Sequence, residues 1–366
     1  MTYRERFSNA VNHKPVDRVP FDFDGTPMSL VLSEKLLHDI AARLNIRDEK
    51  PMDAILQAFD IDFRRVGHMP QPKSSLARTI SPTQFVDVWG IEYSLVGNDW
   101  QISKAPLKDA TIEDLDNFPW PQVSTIDPKE IAAIRDRAKY LYEETPYVVS
   151  AEHPCYGILE LGCWMCSFDD FLLNLAMEPE FVESFFDHVY AYQRDIIDLY
   201  YSAIGDYIHL TTSGDDFGTQ NSPFMSPGMF SEMVAPYYDK RIALTKEYTK
   251  ATFFHHTCGS VYKLIPRMIQ SGVEILNPIQ PNAADMEPDR LKAAFGDKLT
   301  FWGGVDTQYV LPNGTPSDVE AHVRGLLDIF GKDGGYVFAP AHCLQHDVPA
   351  ENVIAMYRAA REYFGV

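Results

Sequence analysis

The stretch TFFHHTCGSVYKLIPRMIQSGVEILN, residues 252–277, contains one complete unit of a parallel β-sheet fold. Aromatic and β-branched residues predict a strand over Thr252–His256, and a second short apolar run predicts another over Val273–Asn277. Between them, Val261–Ser271 has the apolar spacing that is typical of an amphipathic helix. A strand, a helix and a second strand in this order predict two parallel strands joined by a crossover helix.

The same alternation extends over the whole chain. The predicted strands are Arg18–Phe23, Ile61–Val66, Tyr147–Ala151, Tyr207–Thr212, Thr252–His256, Val273–Asn277, Leu299–Gly303 and Gly335–Ala339. The predicted helices are Leu30–Leu44, Pro128–Glu143, Pro179–Ile204, Pro227–Thr249, Val261–Ser271, Glu287–Phe295, Pro316–Phe330 and Pro349–Phe364. Strands that alternate with helices in this way predict an α/β fold, a (β/α)8 TIM barrel.

A doubly wound open sheet is the alternative architecture with the same alternation. Such sheets usually carry a Gly-rich phosphate-binding turn after the first strand. Here the first predicted strand continues into Asp22-Phe-Asp-Gly-Thr-Pro27, which lacks that pattern. Ser81–Pro106 interrupts the alternation, and we interpret it as a β-hairpin excursion near the barrel mouth, with Trp89 and Trp100 as packing aromatics. We expect a single barrel domain over residues 1–366.

Charge and composition exclude several classes of protein. The 366 residues include 32 lysines and arginines against 52 aspartates and glutamates, which gives a formal net charge of −20. This charge argues against binding to nucleic acid or to an anionic membrane surface. No run approaches the ~18 consecutive apolar residues of a membrane span, and the charged start does not resemble a signal peptide. Five cysteines do not suggest a disulfide framework, so we expect a cytoplasmic protein.

Polar side chains follow the predicted strands at their carboxyl ends, where TIM barrels carry their chemistry. They are Asp22, Asp24, Glu152, His153, Asp215, Asp216, His256, Cys258, Asn277, Asp306, His342 and Cys343. This set is unusually rich in acid–base groups and metal ligands for ordinary loops. We therefore expect the active site at this end of the barrel.

His256 and Cys258 are two residues apart, so their side chains can lie on the same face of a strand. Imidazole nitrogen and thiolate sulfur are ligands suited to zinc. Cys343 follows the last predicted strand and could supply a third ligand at the same barrel mouth. Three protein ligands leave a fourth position open, as in catalytic zinc sites. The alternative is that these cysteines pack in the core, since free cysteine is often fully buried.

Asp215 and Asp216 follow the fourth predicted strand, between Gly214 and Phe217. Adjacent carboxylates in a cleft raise each other's pKa and can hold a cation, a hydroxyl group or a proton. A solvated acidic turn is the alternative interpretation. Cys163 and Cys166 form a CxxC pair in a predicted apolar helix, and there we expect core packing rather than redox or zinc chemistry.

Taken together, several segments resemble the uroporphyrinogen decarboxylase superfamily, and in particular its cobamide-dependent methyltransferase branch. The matching stretches are Arg18-Val-Pro20, Gly214–Gln220 with Ser226-Pro227, His256–Ser260, Asn277–Pro281, Phe295-Gly296, Gly303–Asp306, and residues of Gly335–Cys343 and Pro349–Val353. They occur in the family's order over nearly the whole chain. The resemblance implies a (β/α)8 barrel, in agreement with the predicted strands.

The resemblance also indicates the branch. The decarboxylase carries an arginine-bearing loop after its first strand, whereas Phe21–Pro27 is acidic and would repel a polycarboxylate substrate. The methyltransferases have a zinc site of the form His-x-Cys plus a distant Cys, which His256, Cys258 and Cys343 match. His342 corresponds to a histidine near the end of the decarboxylase's last strand, so features of both branches are present.

The resemblance therefore implies a zinc-dependent methyltransferase. It would move a methyl group between a small substrate, such as a thiol or a methyl ether or methylamine donor, and a corrinoid (cobamide) carried on a partner protein. The candidate residues are His342, Asp215 and Asp216 for catalysis and Gln220, Glu152, Asp22 and Asp306 for substrate binding. A homodimer is the oligomeric state that the resemblance suggests.

Two other functions are compatible with the sequence. A metal-free decarboxylase acting on a porphyrin or another carboxylated substrate would need cationic anchors, for which Arg64 and Arg65 are the obvious candidates. The other is a barrel that binds a tetrapyrrole or a corrinoid protein without turnover. Metal analysis separates the decarboxylase from the methyltransferase, and an assay of methyl donors and acceptors separates the binding protein from both.

Overall fold

The computed structural model describes residues 1–366 and contains two β-sheets. In chain order the strands are β1 (Phe63–Arg65), β2 (Arg78–Ser81), β3 (Gln84–Val86), β4 (Glu92–Val96), β5 (Asp99–Lys104), β6 (Val148–Glu152), β7 (Leu210–Gly214), β8 (Thr252–His256), β9 (Ile275–Asn277), β10 (Thr300–Val305) and β11 (Tyr336–Pro340). Seven of them form a parallel sheet in the order β1-β6-β7-β8-β9-β10-β11, and β2–β5 form a separate antiparallel sheet.

Helices occupy the connections between the parallel strands. Their bounds are α1 (Tyr3–Val11), α2 (Glu34–Arg43), α3 (Met52–Ala58), α4 (Ile112–Asn117), α5 (Pro128–Glu144), α6 (Ile158–Cys166), α7 (Phe168–Met177), α8 (Pro179–Ile204), α9 (Pro227–Met229), α10 (Ala235–Tyr248), α11 (Ile265–Ser271), α12 (Pro288–Phe295), α13 (Val310–Asn313), α14 (Pro316–Phe330) and α15 (Ala350–Phe364). None of these helices combines the length and the apolar composition needed to cross a membrane.

The predicted helix Pro227–Thr249 is divided by a π-helical turn at Phe230–Val234. Pro236 lies in the first turn of the helix that follows. Proline has no N–H to donate, and its ring crowds the carbonyl group four residues earlier. The wider π turn relieves this crowding and lets the chain continue as a helix.

The predicted closed barrel is wrong at one strand. Arg18–Phe23 forms only an isolated bridge, in which Phe21 pairs with Phe338 of β11. Pro20 has no N–H for a regular ladder, and Asp24 turns the chain with a φ of 56°. The protein therefore has a TIM-like α/β fold in which seven parallel strands curl round without an eighth regular strand to close them.

Residues 20–22, the seam segment, nevertheless contact both edges of the parallel sheet. Phe338 N donates to Pro20 O and Asp22 N donates to Phe338 O, each at 2.9 Å. On the other side, Asp62 N donates to Phe21 O at 3.0 Å. The seam segment thus fills the position between β11 and the residue that precedes β1.

The inside of the curled sheet is filled by a cluster of buried apolar side chains. Every parallel strand contributes to it, and α1 adds one phenylalanine from outside the sheet. The members are Phe7, Phe63, Val148, Leu210, Phe254, Ile275, Trp302, Val337 and Ala339. Because this interior is packed, room for a ligand remains only toward the ends of the strands.

The antiparallel sheet corresponds to the predicted excursion Ser81–Pro106, and it has four strands rather than two. Trp89 is buried and packs edge-on against Tyr192 of α8, with ring centroids 4.9 Å apart. Trp100 contacts Phe85 within the sheet but is 46% exposed. The packing role is therefore confirmed for Trp89, whereas Trp100 covers only its own sheet.

Candidate metal centre and active site

The carboxyl ends of β8 and β11 bring His256, Cys258 and His342 together. One potential ligand atom from each residue lies within 4.8 Å of the other two. Cys258 Sγ lies 3.3 Å from His256 Nε2, and the rings of His256 and His342 are 5.2 Å apart. Thiol and imidazole groups are ligands that zinc accepts. Two of the three predicted zinc ligands are therefore adjacent, with His342 as their neighbour.

Asn277, the last residue of β9, orients the ring of His256. Its Oδ1 lies 2.5 Å from His256 Nδ1, and its Nδ2 donates to Trp302 O at 3.1 Å. An amide oxygen only accepts, so His256 Nδ1 carries the proton and Nε2 offers a lone pair beside Cys258. A Cβ at Gly303, where φ is 103°, would lie 3.4 Å from Asn277 Nδ2. The sequence indicated Asn277 only as a polar residue at a strand end, not as a support.

His342 carries its proton on the other ring nitrogen. Its Nδ1 accepts a hydrogen bond from Cys343 N at 2.8 Å, so the neutral ring is protonated at Nε2. Burial, together with the neighbouring His256, lowers the pKa of His342 to about 4. Near pH 7 the ring is therefore neutral and has one N–H group to donate.

Cys343 lines the same cavity as Cys258 and His342 but is not one of the three clustered residues. Its Sγ donates a hydrogen bond to Pro27 O at 3.3 Å. Burial raises the pKa of Cys343 to about 11. The third predicted zinc ligand thus lies beside the cluster, with its thiol bonded to the backbone instead.

A cavity of about 310 Å³ lies over the cluster, a volume that suits a small ligand. Its lining residues are Cys258, Pro278, Gln280, Thr307, Gln308, Ala341, His342, Cys343 and Gln345. Three larger cavities, of about 500, 470 and 790 Å³, contain no residue of the cluster. We place the candidate site in the 310 Å³ cavity because two of the clustered residues, Cys258 and His342, line it.

Asp216 is the predicted acidic residue that lies at the cluster. Its Oδ1 accepts a hydrogen bond from Cys258 N at 2.7 Å and lies 3.9 Å from His256 Nε2. Burial raises the pKa of the Cys258 thiol, and the carboxyl groups of Asp216 and Glu160 raise it further. Without a metal or another cation beside it, Cys258 therefore stays protonated near pH 7.

Glu160, in the first turn of α6, was not predicted. Burial raises its pKa well above the usual range, and the charges of Asp216 and Asp215 add to this effect. The Glu160 carboxyl group therefore lies close to Asp216, in surroundings that disfavour its ionised form. The available signal was its position as the single charged residue of the helix ILELGCWMC, in which every other residue is apolar or small.

Asp215 caps a helix instead of lining the cavity. Its side chain is fully buried, and its Oδ1 and Oδ2 accept hydrogen bonds from Glu160 N at 2.9 Å and Leu159 N at 3.3 Å. A Cβ at Gly157 would overlap the Asp215 side chain. Burial raises the pKa of Asp215 to about 6, against the opposing charge of Arg241. The structure therefore accounts for Asp215 without contact to a substrate.

Three of the predicted substrate-binding residues bond to the protein itself. Asp22 has no exposed surface, and its carboxylate accepts from Gly25 N at 2.9 Å and Trp302 Nε1 at 3.1 Å. Asp306 Oδ1 accepts from two backbone N–H groups of the loop that follows it. Gln220 Nε2 donates to Asn282 O on the loop after β9. None of the three is among the residues that line the cavity.

The fourth predicted substrate-binding residue, Glu152, ends β6 close to Arg65. Burial raises the pKa of Glu152, and the positive charge of Arg65 opposes this. Arg65 Nε donates to Asp24 O at 2.8 Å, and Arg65 Nη2 lies 3.2 Å from Asp24 Oδ2. The charges of Asp24 and Arg65 also act on the pKa of Cys343, in opposite directions. This charged group therefore lies near the cavity wall.

The CxxC pair packs in the core, as predicted. Cys163 and Cys166 are buried members of the main hydrophobic cluster, and both are free thiols. Burial raises the pKa of Cys166 to about 12, which makes the thiol unreactive near neutral pH.

Comparisons with known proteins identify the family of this chain. The family model "Uroporphyrinogen decarboxylase (URO-D)" matches residues 90–363. A methylated-thiol–coenzyme M methyltransferase of Methanosarcina mazei is 27% identical over 143 residues, which cover 39% of this chain and 35% of the relative. A uroporphyrinogen decarboxylase of Pseudoalteromonas atlantica is 33% identical over 75 residues, which cover 20% of this chain and 21% of the relative.

The fold agrees with a solved structure over its full length. A methyltransferase from Methanosarcina mazei superimposes with a TM-score of 0.67 at 16% identity, covering 100% of this chain and 99% of the other. The sequence matches span about a third or less of the curated relatives, so the family rests on the model that matches about three-quarters of this chain. On that match the chain belongs to the uroporphyrinogen decarboxylase family, and the methylated-thiol–coenzyme M methyltransferase supports the methyltransferase branch of its superfamily.

Proposed function

We propose that this chain is a zinc-dependent methyltransferase that moves a methyl group between a small substrate and a corrinoid on a partner protein. The observation that carries the proposal is the oriented pair His256 and Cys258, whose Nε2 and Sγ atoms lie 3.3 Å apart at a cavity. The family and the 27% identical methylated-thiol–coenzyme M methyltransferase support the same chemistry.

The donors fit zinc in type and in orientation. His256 is held by Asn277 with its Nε2 lone pair free, which is the usual support of a metal-binding histidine. Zinc bound there would lower the pKa of a substrate thiol, or polarise the oxygen of a methyl ether. His342 lines the cavity, and its Nε2–H can donate a hydrogen bond to the substrate.

Two ligand sets are compatible with these donors, and we favour the one with Cys343. His342 would have to exchange its Nε2 proton for one on Nδ1, where the N–H of Cys343 already donates. Cys343 would give up only its bond to Pro27 O. We therefore propose His256, Cys258 and Cys343 as ligands, with His342 as a donor to the substrate and Asp216 as the group that positions the Cys258 backbone.

Cobalt substitution tests the ligand set. Each thiolate ligand adds charge-transfer absorption to bound Co²⁺, so Cys343→Ser should remove about half of this intensity while His342→Gln retains it. Cys155→Ala, which removes a buried thiol outside the cavity, is the control and should leave the spectrum unchanged. The opposite pattern for Cys343 and His342 would assign His342 as the third ligand. A purified chain that binds neither zinc nor cobalt contradicts the proposal.

The decarboxylase alternative lacks free cationic anchors. Arg64 is buried, donates to Ile61 O and Phe63 O, and lies over the ring of Tyr147. Arg65 is bonded to Asp24. Release of CO₂ from a porphyrinogen by metal-free protein would favour this alternative over methyl transfer.

We also propose a cytoplasmic location, a single domain and a homodimer, as expected from the sequence. The five free thiols agree with a reducing compartment. Size-exclusion chromatography with light scattering tests the dimer, and co-purification with a corrinoid protein tests the partner.

A further inference from the structure

The polar lining of the cavity beside the proposed metal centre is uncharged. Apart from the two cysteines and His342, the polar side chains that line it are Gln280, Thr307, Gln308 and Gln345. No lysine or arginine is among the lining residues. His342 accepts a hydrogen bond at Nδ1 from Cys343 N at 2.8 Å, so its ring is bound as a neutral imidazole. The cavity wall therefore offers no positive charge to a bound molecule.

The charged groups near the cavity are mostly acidic. Asp216 and Glu160 act on the thiol of Cys258, and Asp24 acts on the thiol of Cys343. Arg65 is the cation that also acts on Cys343, and it already bonds to Asp24 and offsets the charge of Glu152. Four carboxyl groups, those of Asp24, Glu152, Glu160 and Asp216, therefore lie near a single guanidinium.

The amide groups in the cavity have unused hydrogen-bonding capacity. Gln280 Oε1 accepts from Gly259 N at 2.9 Å, and no protein group accepts from its Nε2. The side chains of Gln308 and Gln345 take part in none of the side-chain hydrogen bonds of the structure, although both residues bond through their backbones. Amides can bond to a hydroxyl or amide group of a ligand, but they do not compensate the cost of desolvating an anion.

We propose that the small substrate of this cavity has a tail without negative charge, held by hydrogen bonds to the glutamine side chains. An anionic tail would be desolvated close to carboxyl groups and would find no cation in the cavity wall to pair with. The assignment of this tail to a methyl donor or acceptor rests on the proposed function. The charge preference itself is a property of the cavity and can be measured without zinc or corrinoid.

Two thiol reagents that differ only in their tails test the proposal. Hydroxyethyl and sulfonatoethyl methanethiosulfonate each form a disulfide with a cysteine thiol and release methanesulfinate. The rates of modification of Cys258 and Cys343 in metal-free protein are measured at alkaline pH, because burial raises the pKa of both thiols. They are followed by peptide mass spectrometry and divided by the rates for free cysteine at the same pH. After this correction, we expect the sulfonatoethyl reagent to react slower by on the order of tenfold, because like charge repels the anion.

A charge substitution inside the cavity provides the matched test. Gln308→Lys adds a cation to the lining and should reduce the tenfold difference to about threefold or less. Gln57→Lys makes the same substitution on α3, near the amino end of β1, and should leave the difference unchanged. Equal corrected rates in the unmodified chain, or a faster corrected rate for the sulfonatoethyl reagent, would overturn the proposal.

The outcome is separable from that of the metal experiment. Slower reaction of the sulfonatoethyl reagent in a chain that binds no zinc would support the charge preference and contradict the proposed methyl transfer. Zinc binding by a chain that reacts equally with both reagents would support the methyl transfer and contradict the charge preference.

Discussion

The hydrogen bond between His256 Nδ1 and Asn277 Oδ1 decides which nitrogen of the imidazole lies beside Cys258. Asn277 is fixed in turn by its bond to Trp302 O. A supporting partner of this kind raises the affinity of a histidine ligand because it fixes both the tautomer and the ring orientation. The proposed metal centre therefore depends on a residue that would not contact the metal.

Replacing Asn277 tests this support. Asn277→Ala should weaken zinc binding by about 10- to 100-fold, because His256 loses the acceptor for its Nδ1 proton. A competition titration with a chromogenic chelator measures the affinity. Asn221→Ala removes an exposed asparagine side chain that makes no hydrogen bond, and it should leave the affinity unchanged. An unaltered zinc affinity in Asn277→Ala would show that His256 needs no such support.

Sequence reasoning identified part of the site at this scale. The two-residue spacing correctly predicted that His256 and Cys258 are neighbours, although Cys258 lies two residues beyond the end of β8. The bond of Cys343 to Pro27 O and the proximity of Glu160 to Asp216 were not predicted. Both depend on side-chain rotamers and on contacts between distant loops, which residue spacing does not determine.

At the scale of elements, the loop after β7 determines where α6 begins. Asp215 accepts hydrogen bonds from the N–H groups of Leu159 and Glu160, which have no partner inside the helix. Gly157 leaves the space for the Asp215 side chain. The same contact holds Glu160 at the amino end of α6, close to Asp216. A residue predicted to be catalytic thus supports the site through a helix cap.

Loss of the cap should reduce stability. Asp215→Ala should lower the free energy of unfolding by about 1–2 kcal/mol, and Asp215→Asn, which keeps an acceptor oxygen, by less. Urea unfolding followed by circular dichroism measures the difference. Asp136→Ala, at an exposed position of α5, serves as the control and should change stability by less than about 0.5 kcal/mol. Equal free energies of unfolding for Asp215→Ala and the unmodified chain would show that the Asp215 cap does not stabilise the protein.

The ends of helices were predictable where a residue with a strong positional preference marks them. Pro179 and Pro316 begin α8 and α14 as predicted, since proline is favoured in the first turn of a helix. The first predicted strand failed because Pro20 cannot donate to a ladder and the chain turns at Asp24. Its hydrophobic pattern was that of a strand, but its hydrogen bonds are those of a bridge.

At the scale of the whole molecule, one buried ion network holds the seam segment against β1. Asp62 is fully buried and accepts from Arg6 Nη1 and Arg18 Nη1, each at 2.7 Å, and from Phe21 N at 2.8 Å. Arg18 is also buried and bonds to Asp60. The position left by the missing eighth strand is thus secured by side-chain bonds in addition to the backbone.

Neutralising Asp62 should cost more stability than neutralising its exposed neighbour. Asp62→Asn leaves Arg6 and Arg18 with only the more exposed carboxylates of Asp17 and Asp60, so the free energy of unfolding should fall by about 3 kcal/mol. Asp60→Asn removes a carboxylate from the same Arg18 at a partly exposed position and should cost at most about 1 kcal/mol. Equal losses, measured by urea unfolding, would contradict the network's role.

The seam segment has a consequence for how the protein is made. Tyr357 OH donates to Asp22 O across 335 residues of chain, and Gly335 N donates to Ala10 O at 2.7 Å. A ribosome makes Phe21 long before its aromatic partners Phe338, Tyr357 and Phe364, so its ring stays uncovered until those residues follow. A nascent chain stalled before residue 335 would therefore expose Phe21 to chaperones, and synthesis of residues 338–364 allows the ring to be buried.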